Sequence, residues 1–499
     1  MEDQQTMNEG PFTLSCDHSI NRKYSPLLTD LYQLTMAYGY WKSGKHEMEA
    51  VFSLFFREHP FMGGFSLTCG LSDVIDFVDH YHFEDEEINY LRTLNGNDGS
   101  PLFDKEFLAY LLKLKLVCDI DAIPEGSVVF PYEPLVRVQG PIIQCQLLET
   151  ALLNIVNFQS LIATKSSRIC LAARGDPILE FGLRRAQGVD GGLTASRAAY
   201  IGGCTATSNL LAGKRYGIPV SGTHAHSWVM AFETEIDSFE AYAKALPNNC
   251  VFLVDTFDTL EGVHNAVKVG RSLQKKGHKL LGIRLDSGNL SDLSYSARKI
   301  LDNAGFIETP IIASNDLDEY LIDSLKGKQA PIGLWGVGTK LVTGDGQSAL
   351  GGVYKLTAIR NSSGTWKYKL KVSEEGIKTS VPGILQVKRF ENSNKFVGDL
   401  IYDLIMGSSE EQVDIRQANT SLKTKIPLGV LSQDLLVPVI RKGQSIYQDV
   451  TIKDIRNRVQ HQLSKFKSEI KSIGNPEHYQ VSLDFKLHQL KEKLFQRLD

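Results

Sequence analysis

Two histidines stand one residue apart in the stretch SGTHAHSWVM, which covers residues 221–230. His224 and His226 end a short apolar run, and alternate residues of a strand face the same side, so the pair could chelate a metal. A hydrolytic metal centre of this kind needs further histidine or carboxylate ligands from other strand ends. The alternative is that both imidazoles only cap the strand through hydrogen bonds.

The stretch GIRLDSGNL contains Arg284 and Asp286, two residues apart. In a strand their guanidinium and carboxylate face the same side. The guanidinium is a planar fork that suits a carboxylate or a phosphate. Asp286 could accept hydrogen bonds from ribose hydroxyls or help to hold Mg²⁺. A purely structural ion pair between the two residues is the competing interpretation.

Three further stretches carry polar or aromatic side chains beside glycines or on an amphipathic helix. GVGTKL offers backbone N–H groups that could cradle a phosphate, and EFGLRRAQG places an aromatic ring beside two cations. LLTDLYQLTMAYGYW forms a helix whose tyrosines could equally be a core stripe. The residues concerned are Gly338 and Thr339, then Phe181, Arg184 and Arg185, and finally Asp30, Tyr32 and Tyr38. Together these groups suit a phosphate-bearing anion and a flat aromatic acid.

Short apolar runs that alternate with amphipathic helical stretches position most of these residues. This alternation predicts a parallel sheet covered by helices, closed as a barrel or open and doubly wound, with the barrel favoured. Active sites of such barrels lie at the carboxyl ends of the strands, where the candidate residues stand. The seven runs are 177–182, 203–208, 218–227, 250–257, 280–288, 310–316 and 334–341.

The flanking regions have a different pattern. Residues 46–71, 118–139 and 351–401 alternate with period two, which predicts strands of a second, mostly β domain built from both ends of the chain. Residues 145–173 predict one long helix, and 454–499 a charged helical end with a break at GNPEHY. The predicted division is 1–145 for the first part of the β domain, 146–345 for the barrel, and 346–499 for the remainder.

Composition excludes several classes of partner. A net charge of −4 and a pI near 6.3, without a basic block, argue against nucleic acid. The acidic start is unlike a signal peptide, and no apolar run approaches the ~20 residues of a membrane helix. The 7 cysteines are scattered and never form a C-x-x-C pair. We therefore expect a cytoplasmic protein with reduced cysteines that does not bind membranes.

Over nearly its full length the chain resembles the nicotinate phosphoribosyltransferase family. Besides the motifs quoted above, FSLFFREHPFMGGF, ASNDLDEYLI, LGGVYKL and NPEHYQVSL fall in the family's order. The resemblance implies a type II phosphoribosyltransferase, with a β sandwich packed on an irregular seven-stranded α/β barrel. Such enzymes join nicotinate to phosphoribosyl pyrophosphate (PRPP), giving nicotinate mononucleotide and pyrophosphate. They couple this to ATP hydrolysis, use Mg²⁺, and are usually homodimers with the site at the interface.

The same resemblance implies roles for individual residues. His226 matches the histidine that becomes phosphorylated. Tyr32, Thr223 and Arg284 match nicotinate-site residues, with Tyr32 coming from the partner subunit. Phe181 would stack on the other face of the pyridine. The remaining implied assignments are Gly338 and Thr339 to the diphosphate of PRPP, Asp286 to ribose or Mg²⁺, and Arg184 to phosphate or base.

Two positions bear on substrate choice and phosphate binding. Nicotinamide-using relatives carry an aspartate where this chain has His224, which favours the acid as substrate; a packing role for His224 is the alternative. The family usually has a lysine after Pro-Gly where this chain has Ile384 and Leu385, although Lys388 and Arg389 lie close by. The other functions considered are a nicotinamide phosphoribosyltransferase, a metal-dependent barrel hydrolase using both histidines, and a binding protein without catalysis.

Overall fold

A computed structural model describes residues 25–361, 363–371, 380–409, 411–415, 423–425, 430–448 and 450–496. Its helices are α1 (Leu31–Lys42), α2 (Leu71–Asp79), α3 (Asp85–Arg92), α4 (Lys105–Lys113), α5 (Ile142–Leu147), α6 (Glu149–Ala172), α7 (Gly188–Gly202), α8 (Leu210–Tyr216), α9 (His226–Met230), α10 (Glu235–Ala245), α11 (Thr259–Lys275), α12 (Leu290–Asn303), α13 (Glu319–Gly327), α14 (Thr339–Val342), α15 (Ile452–Lys465) and α16 (Phe485–Phe495). Short 3₁₀ helices cover Pro60–Met62, Leu183–Arg185 and Glu469–Lys471.

The strands are β1 (Glu49–Phe55), β2 (Ser66–Leu67), β3 (Asp119–Ala122), β4 (Val128–Val129), β5 (Val136–Pro141), β6 (Ile178–Glu180), β7 (Ala206–Thr207), β8 (Val251–Leu253), β9 (Gly282–Leu285), β10 (Ile311–Ala313), β11 (Leu334–Val337), β12 (Val353–Arg360), β13 (Trp366–Tyr368), β14 (Leu385–Asn392), β15 (Lys395–Asp403), β16 (Glu411–Asp414), β17 (Lys423–Lys425), β18 (Leu431–Asp434), β19 (Val437–Arg441), β20 (Gln444–Ser445) and β21 (Val481–Asp484).

A parallel sheet with the order β7-β6-β11-β10-β9-β8 forms the centre of the chain. Its helices begin where the sequence supplies caps: the side chains of Asp258 and Asn289 accept the N–H groups of Glu261 and Asp292 at the starts of α11 and α12. The α/β fold class predicted from the alternating runs is confirmed. The predicted boundaries at 145 and 345 stay predictions.

The seventh predicted run, 218–227, contributes a bridge rather than a full strand. Val220 pairs in parallel with Thr207 at the β7 edge, where Thr207 N–H donates to the Pro219 carbonyl and Ser221 N–H donates back to Thr207. Pro219 has no N–H of its own to extend the ladder. All seven runs therefore take part in the parallel layer, in the order 220-β7-β6-β11-β10-β9-β8.

Of the other two large sheets, one combines strands from both ends of the chain, and the other is built wholly from residues 385–484. One has the order β13-β12-β1-β5-β3-β19-β20, and the other β17-β16-β21-β15-β14-β18. In the first sheet β1 pairs with both β5 and β12, and β3 pairs with both β5 and β19. A β layer built from both termini is thus confirmed for the described strands.

Two local predictions differ from the structure. The long helix predicted over 145–173 is divided, because α5 ends at Leu147 and α6 begins at Glu149. At that break the Gln146 carbonyl accepts from Gln33 Nε2 of α1 at 2.9 Å. In the charged C-terminal end the predicted break at GNPEHY is present, but it is followed by a strand that was not predicted, β21, which is buried between β15 and β16.

A buried arginine stabilises the second β sheet. Arg389 of β14 is fully buried and donates through Nε and Nη2 to Asp399 of β15, with the shortest N–O distance 2.6 Å. Its guanidinium carbon lies 5.1–5.7 Å from the ring centroids of Phe130, Phe396 and Phe466. The cation is therefore a structural group enclosed by aromatic rings. Although Arg389 lies close to the Pro-Gly turn in the sequence, it is not exposed there to bind phosphate.

Within the described residues, no helix is both long enough and apolar enough to cross a lipid bilayer.

Candidate functional site

Arg284 stands at the carboxyl end of β9 and organises the centre of the site. Its Nε donates to Ser314 Oγ at 2.8 Å, Nη1 to Thr223 Oγ1 at 2.9 Å, and Nη2 to Asp286 Oδ1 at 2.9 Å. These partners come from three segments that are distant in sequence. Since a guanidinium has five N–H donors, three such bonds leave one N–H on each terminal nitrogen. Each terminal nitrogen can therefore donate one further hydrogen bond to a ligand.

Phe181 supplies a flat apolar surface beside this guanidinium. The Arg284 guanidinium carbon lies 5.6 Å from the Phe181 ring centroid. The ring rests on Gly336 of β11, where a Cβ would approach the ring carbons to 2.7 Å. Phe181 N–H also donates to the Val337 carbonyl at 2.8 Å. The aromatic ring is thereby fixed next to a cation, as binding of a flat aromatic acid requires.

Gly338 and Thr339 lie directly against the Phe181 segment. A Cβ at Gly182 would lie 2.9 Å from the Gly338 carbonyl oxygen and 2.3 Å from Val342. Only glycine permits this approach between the ends of β6 and β11. Thr339 begins the short helix α14 immediately after this turn. The predicted diphosphate residues are therefore brought to the same edge of the sheet as the predicted aromatic contact.

His226 begins the short helix α9, and its ring is held between two strand ends. Nδ1 lies 3.1 Å from Thr256 Oγ1, three residues after the end of β8. Nε2 lies 3.6 Å from Asp286 Oδ2, directly after β9. The side chain is 40% exposed. The imidazole is thus accessible to a ligand at the rim while both its nitrogens face polar groups.

Asp286 is an ionised carboxylate in this arrangement. Burial acts against its charge, but the hydrogen bond from Ser314 and the guanidinium of Arg284 outweigh burial and lower the pKa of Asp286 below its ordinary value. Asp255 supports the same turn, since its Oδ2 accepts from the Asp286 N–H at 2.9 Å and from the Ser287 hydroxyl at 2.6 Å. Its Oδ1 is buried, with no hydrogen-bond partner among the described residues.

His224 points away from His226, into the helical layer. Its Nε2 accepts the Leu253 N–H of β8 at 3.3 Å, and its Nδ1 lies 3.5 Å from the Ala225 carbonyl. The ring lies 5.1 Å, centroid to centroid, from Tyr242. Both nitrogens are therefore engaged, and in the described part of the chain no three His, Cys, Asp or Glu side chains form a group that could hold a metal. This geometry disfavours chelation by the two histidines and favours the packing role for His224.

The burial of His224 predicts an acid-sensitive fold. Burial, together with the nearby charges of Arg284 and His226, lowers the pKa of His224 from 6.5 to about 4. The folded state favours the neutral ring. Its contribution to the free energy of unfolding is therefore complete above pH 6.5 and is lost as the pH falls towards 4. The total is about 3 kcal/mol at ~1.36 kcal/mol per pKa unit. Denaturant unfolding between pH 7 and 4.5 would measure this loss of stability. The comparison is between the wild type and His224→Gln, which keeps an acceptor but does not titrate. Parallel stability curves between pH 7 and 4.5 would contradict it.

The structure brings together most of the residues predicted from the sequence. The residues that meet at this edge of the parallel sheet are Phe181, Thr223, His226, Arg284, Asp286, Gly338 and Thr339. Arg184 is exposed on the 3₁₀ turn that follows Phe181 at this edge, and none of the polar contacts described above involves it. Tyr32 lies elsewhere, on α1 beside Glu149. Tyr32 is 46% exposed, as a residue offered to another subunit would be, and the partner assignment stays a prediction.

Sequence reasoning missed Thr256. It follows Asp255 in the segment between β8 and α11. Asp255 bonds to the Asp286 turn, while Thr256 lies against His226. The signal available in the sequence was a hydroxyl residue one position after a strand-end carboxylate.

Comparison with known proteins identifies the family of this chain. The family sequence model of the nicotinate phosphoribosyltransferase N-terminal domain matches residues 27–157, and the family model of the C-terminal domain matches residues 386–491. The nicotinate phosphoribosyltransferase of Bacillus subtilis strain 168 is 41% identical over 486 residues, which cover 95% of this chain and 97% of the relative. That of Dictyostelium discoideum is 38% identical, over 93% of this chain and 87% of the relative.

A solved structure gives the same result at the level of the fold. The crystal structure of human nicotinic acid phosphoribosyltransferase superimposes with a TM-score of 0.81 and 31% identity, covering 93% of this chain and 99% of the human one. These likenesses extend over the β layers and the parallel layer alike. The chain belongs to the nicotinate phosphoribosyltransferase family.

Proposed function

We propose that this protein is a nicotinate phosphoribosyltransferase, which converts nicotinate and PRPP to nicotinate mononucleotide and pyrophosphate, the first step of NAD synthesis from nicotinate. The observation that carries the proposal is the pair of N–H groups left on Arg284 beside the Phe181 ring. A pyridine that bears a carboxylate fits both groups at once. The names of the relatives and of the human structure support the same substrate.

Each substrate has residues suited to it. Arg284 would bind the carboxylate of nicotinate by two parallel hydrogen bonds, Thr223 would hold that guanidinium in place, and Phe181 would stack on the pyridine. Gly338 and Thr339 would bind the diphosphate of PRPP through backbone N–H groups and a hydroxyl. In a homodimer Tyr32 would cover the other face of the pyridine from the second subunit, and the exposed Arg184 would add positive charge for phosphate or base.

The chemical step would depend mainly on positioning. The pyridine nitrogen attacks C1 of the ribose, the bond from C1 to the diphosphate oxygen breaks, and pyrophosphate leaves with the electron pair. The transition state has oxocarbenium character, so residues that hold the two reactants in line contribute most of the acceleration. Asp286 would bind ribose hydroxyls, and its negative charge would favour the developing cation.

Magnesium fits the carboxylates at this edge. Asp286 turns one oxygen towards His226, and Asp255 has a buried oxygen with no partner in the described part of the chain. One or two carboxylates with phosphate oxygens and waters are the usual ligands of Mg²⁺. Asp286 and Asp255 would therefore hold the ion. When bound, it would neutralise the negative charge of the leaving pyrophosphate.

ATP would be coupled through His226. A neutral imidazole nitrogen attacks the γ-phosphate, an N–P bond forms, and ADP leaves with the electron pair of the broken P–O bond. Phosphorylation would order the rim and raise the affinity for PRPP and nicotinate, and hydrolysis of the phosphohistidine would then restore the low-affinity state.

A cytoplasmic location suits these substrates and the free state of the six described cysteines.

The test is mononucleotide formation from PRPP and Mg²⁺ with nicotinate or nicotinamide, each with and without ATP. We expect product from nicotinate, in an amount that rises with ATP, and we expect His226→Ala to remove the ATP stimulation. Product from nicotinamide alone would overturn the assignment of the acid. Undiminished ATP stimulation in His226→Ala would overturn the phosphohistidine.

A further inference from the structure

Glu180 is a buried carboxyl group that the chemistry proposed above does not use. It is the last residue of β6, it directly precedes Phe181, and its side chain is fully buried. Its hydrogen-bond partners among the described residues are all neutral. Oε1 accepts the N–H of Gly182, and Oε2 accepts from the hydroxyls of Ser196 at 2.9 Å and Thr207 at 2.5 Å. Burying a carboxyl group without a cation costs free energy, so its place beside the site is informative.

The bond to Gly182 fixes the backbone directly after Phe181. A backbone N–H can only donate, so Oε1 is the acceptor whatever the protonation state of the carboxyl group. The N–H of Phe181 itself donates to the Val337 carbonyl at 2.8 Å. The Phe181 ring lies against Gly336, where a Cβ would come within 2.7 Å of the ring carbons. The ring is therefore held by packing on β11 and by two backbone N–H groups, one of which depends on Glu180.

The two hydroxyl donors connect the same carboxyl group to neighbouring elements. Ser196 lies on α7, and Thr207 is the last residue of β7. Asn209 joins the two, since its N–H donates to the Thr207 hydroxyl at 3.0 Å and its Nδ2 donates to Ser196 Oγ at 3.1 Å. Glu180 therefore links the turn that carries Phe181 to β7 and α7. Because Glu180 is fully buried, it does not itself touch a ligand at the rim.

We propose that Glu180 is a positioning residue for nicotinate, and that it acts by accepting the Gly182 N–H and so holding the Phe181 ring in the orientation that stacks on the pyridine. The inference rests on the proposed function, in which that ring binds the aromatic acid beside Arg284. Without this bond the peptide of Gly182 is free to rotate, and the neighbouring ring takes up other orientations. Nicotinate must then order the ring as it binds, which lowers its affinity.

The residues assigned to the diphosphate of PRPP have supports of their own. In α14 the Val342 N–H donates to the Gly338 carbonyl at 3.2 Å, and Lys340 donates to Asp318 Oδ2 at 2.7 Å. Neither bond involves Glu180. Loss of Glu180 should therefore weaken binding of nicotinate and leave binding of PRPP nearly unchanged. A general loss of stability would not separate the two substrates.

The experiment measures initial rates of mononucleotide formation by the full-length protein, with Mg²⁺ and saturating ATP, while nicotinate and PRPP are varied in turn. Glu180→Met fills similar space but does not accept the Gly182 N–H. Glu180→Gln keeps an acceptor oxygen for Gly182 and changes only the group that faces the two hydroxyls. Ser196→Ala is the matched control, because it removes a donor from Oε2 and leaves the Gly182 bond in place. Thermal unfolding records the stability of each variant.

We expect Glu180→Met to raise KM for nicotinate about tenfold, the factor that one hydrogen bond of ordinary strength represents. Its kcat and its KM for PRPP should stay within about threefold of the wild type. Glu180→Gln and Ser196→Ala should keep KM for nicotinate within about threefold as well, even where their stability falls. If Glu180→Met does not fold, the double variant with Thr207→Val replaces it, since methionine leaves the Thr207 hydroxyl without its acceptor.

Three results would overturn the inference alone. The first is a KM for nicotinate in Glu180→Met that stays within about threefold of the wild type. The second is an equal rise in KM for PRPP, and the third is Glu180→Gln or Ser196→Ala as impaired towards nicotinate as Glu180→Met. A wild-type protein that forms no mononucleotide from nicotinate would overturn the proposed function, and this inference with it.

Discussion

Replacing Arg284 by lysine should lower kcat/KM for nicotinate by roughly 10²- to 10³-fold. The guanidinium keeps one N–H on each terminal nitrogen for the substrate carboxylate while its other donors hold Ser314, Thr223 and Asp286. An ammonium has three N–H groups on one atom and cannot form that fork. Losing a charge-assisted pair of hydrogen bonds costs about 3–4 kcal/mol, and ~1.36 kcal/mol corresponds to a factor of ten.

Initial rates at several nicotinate concentrations would measure this loss, and we expect it mainly in KM. A matched control is Arg298→Lys, since Arg298 also donates to three groups, Asp302 and the carbonyls of Thr309 and Phe306, but it lies on α12 away from the site. Its kcat/KM should stay within about threefold of the wild type. A value for Arg284→Lys inside that same range would show that Arg284 does not bind the carboxylate.

Replacing Arg389 by methionine should destabilise the fold by about 3–5 kcal/mol. The methionine fits among the aromatic rings, but Asp399 then remains as a buried charge without its partner. Glu133 lies beside this pair: burial and the nearby Asp399 raise the pKa of Glu133, and the charge of Arg389, which the variant removes, opposes that rise. The double variant Arg389→Met with Asp399→Leu should recover much of the loss, since it removes both charges.

Thermal or denaturant unfolding of the variants would test this expectation. Lys388→Met is the control, because the neighbouring Lys388 bonds to the Ser408 hydroxyl at 3.1 Å and remains partly exposed. It should change the free energy of unfolding by less than about 1 kcal/mol. An Arg389→Met protein as stable as Lys388→Met would contradict a structural role for the buried pair.

The parallel layer and its site could largely be predicted from the sequence. Strand ends marked by Arg284, Asp286 and Thr339 met at one edge, because the carboxyl ends of parallel strands must do so. The pattern could not show that His224 and His226 diverge. That difference arises because Pro219 prevents a regular strand and α9 begins at His226, so strand alternation no longer applies to the pair.

The other limit on prediction from the sequence was contact between residues that are distant along the chain. Nothing local to Arg389 distinguishes a buried cation from one that binds phosphate; the distinction comes from Asp399 and from rings contributed by distant segments, such as Phe130 and Phe466. Tyr32 shows the same limit in another form. The pattern of its own helix shows that Tyr32 is available for contact, but the surface that it contacts in a second subunit is not encoded near it in the sequence.

The mixed β sheet has a consequence for the order of events during synthesis. One edge of β1 pairs with β5, but the other edge must wait for β12, roughly 300 residues further along the chain. At ribosomal rates of ~5–20 residues per second, that edge stays unpaired for roughly 15 to 60 s. During this interval the nascent chain presents an apolar strand edge, so chaperone binding while translation is under way would protect it from aggregation.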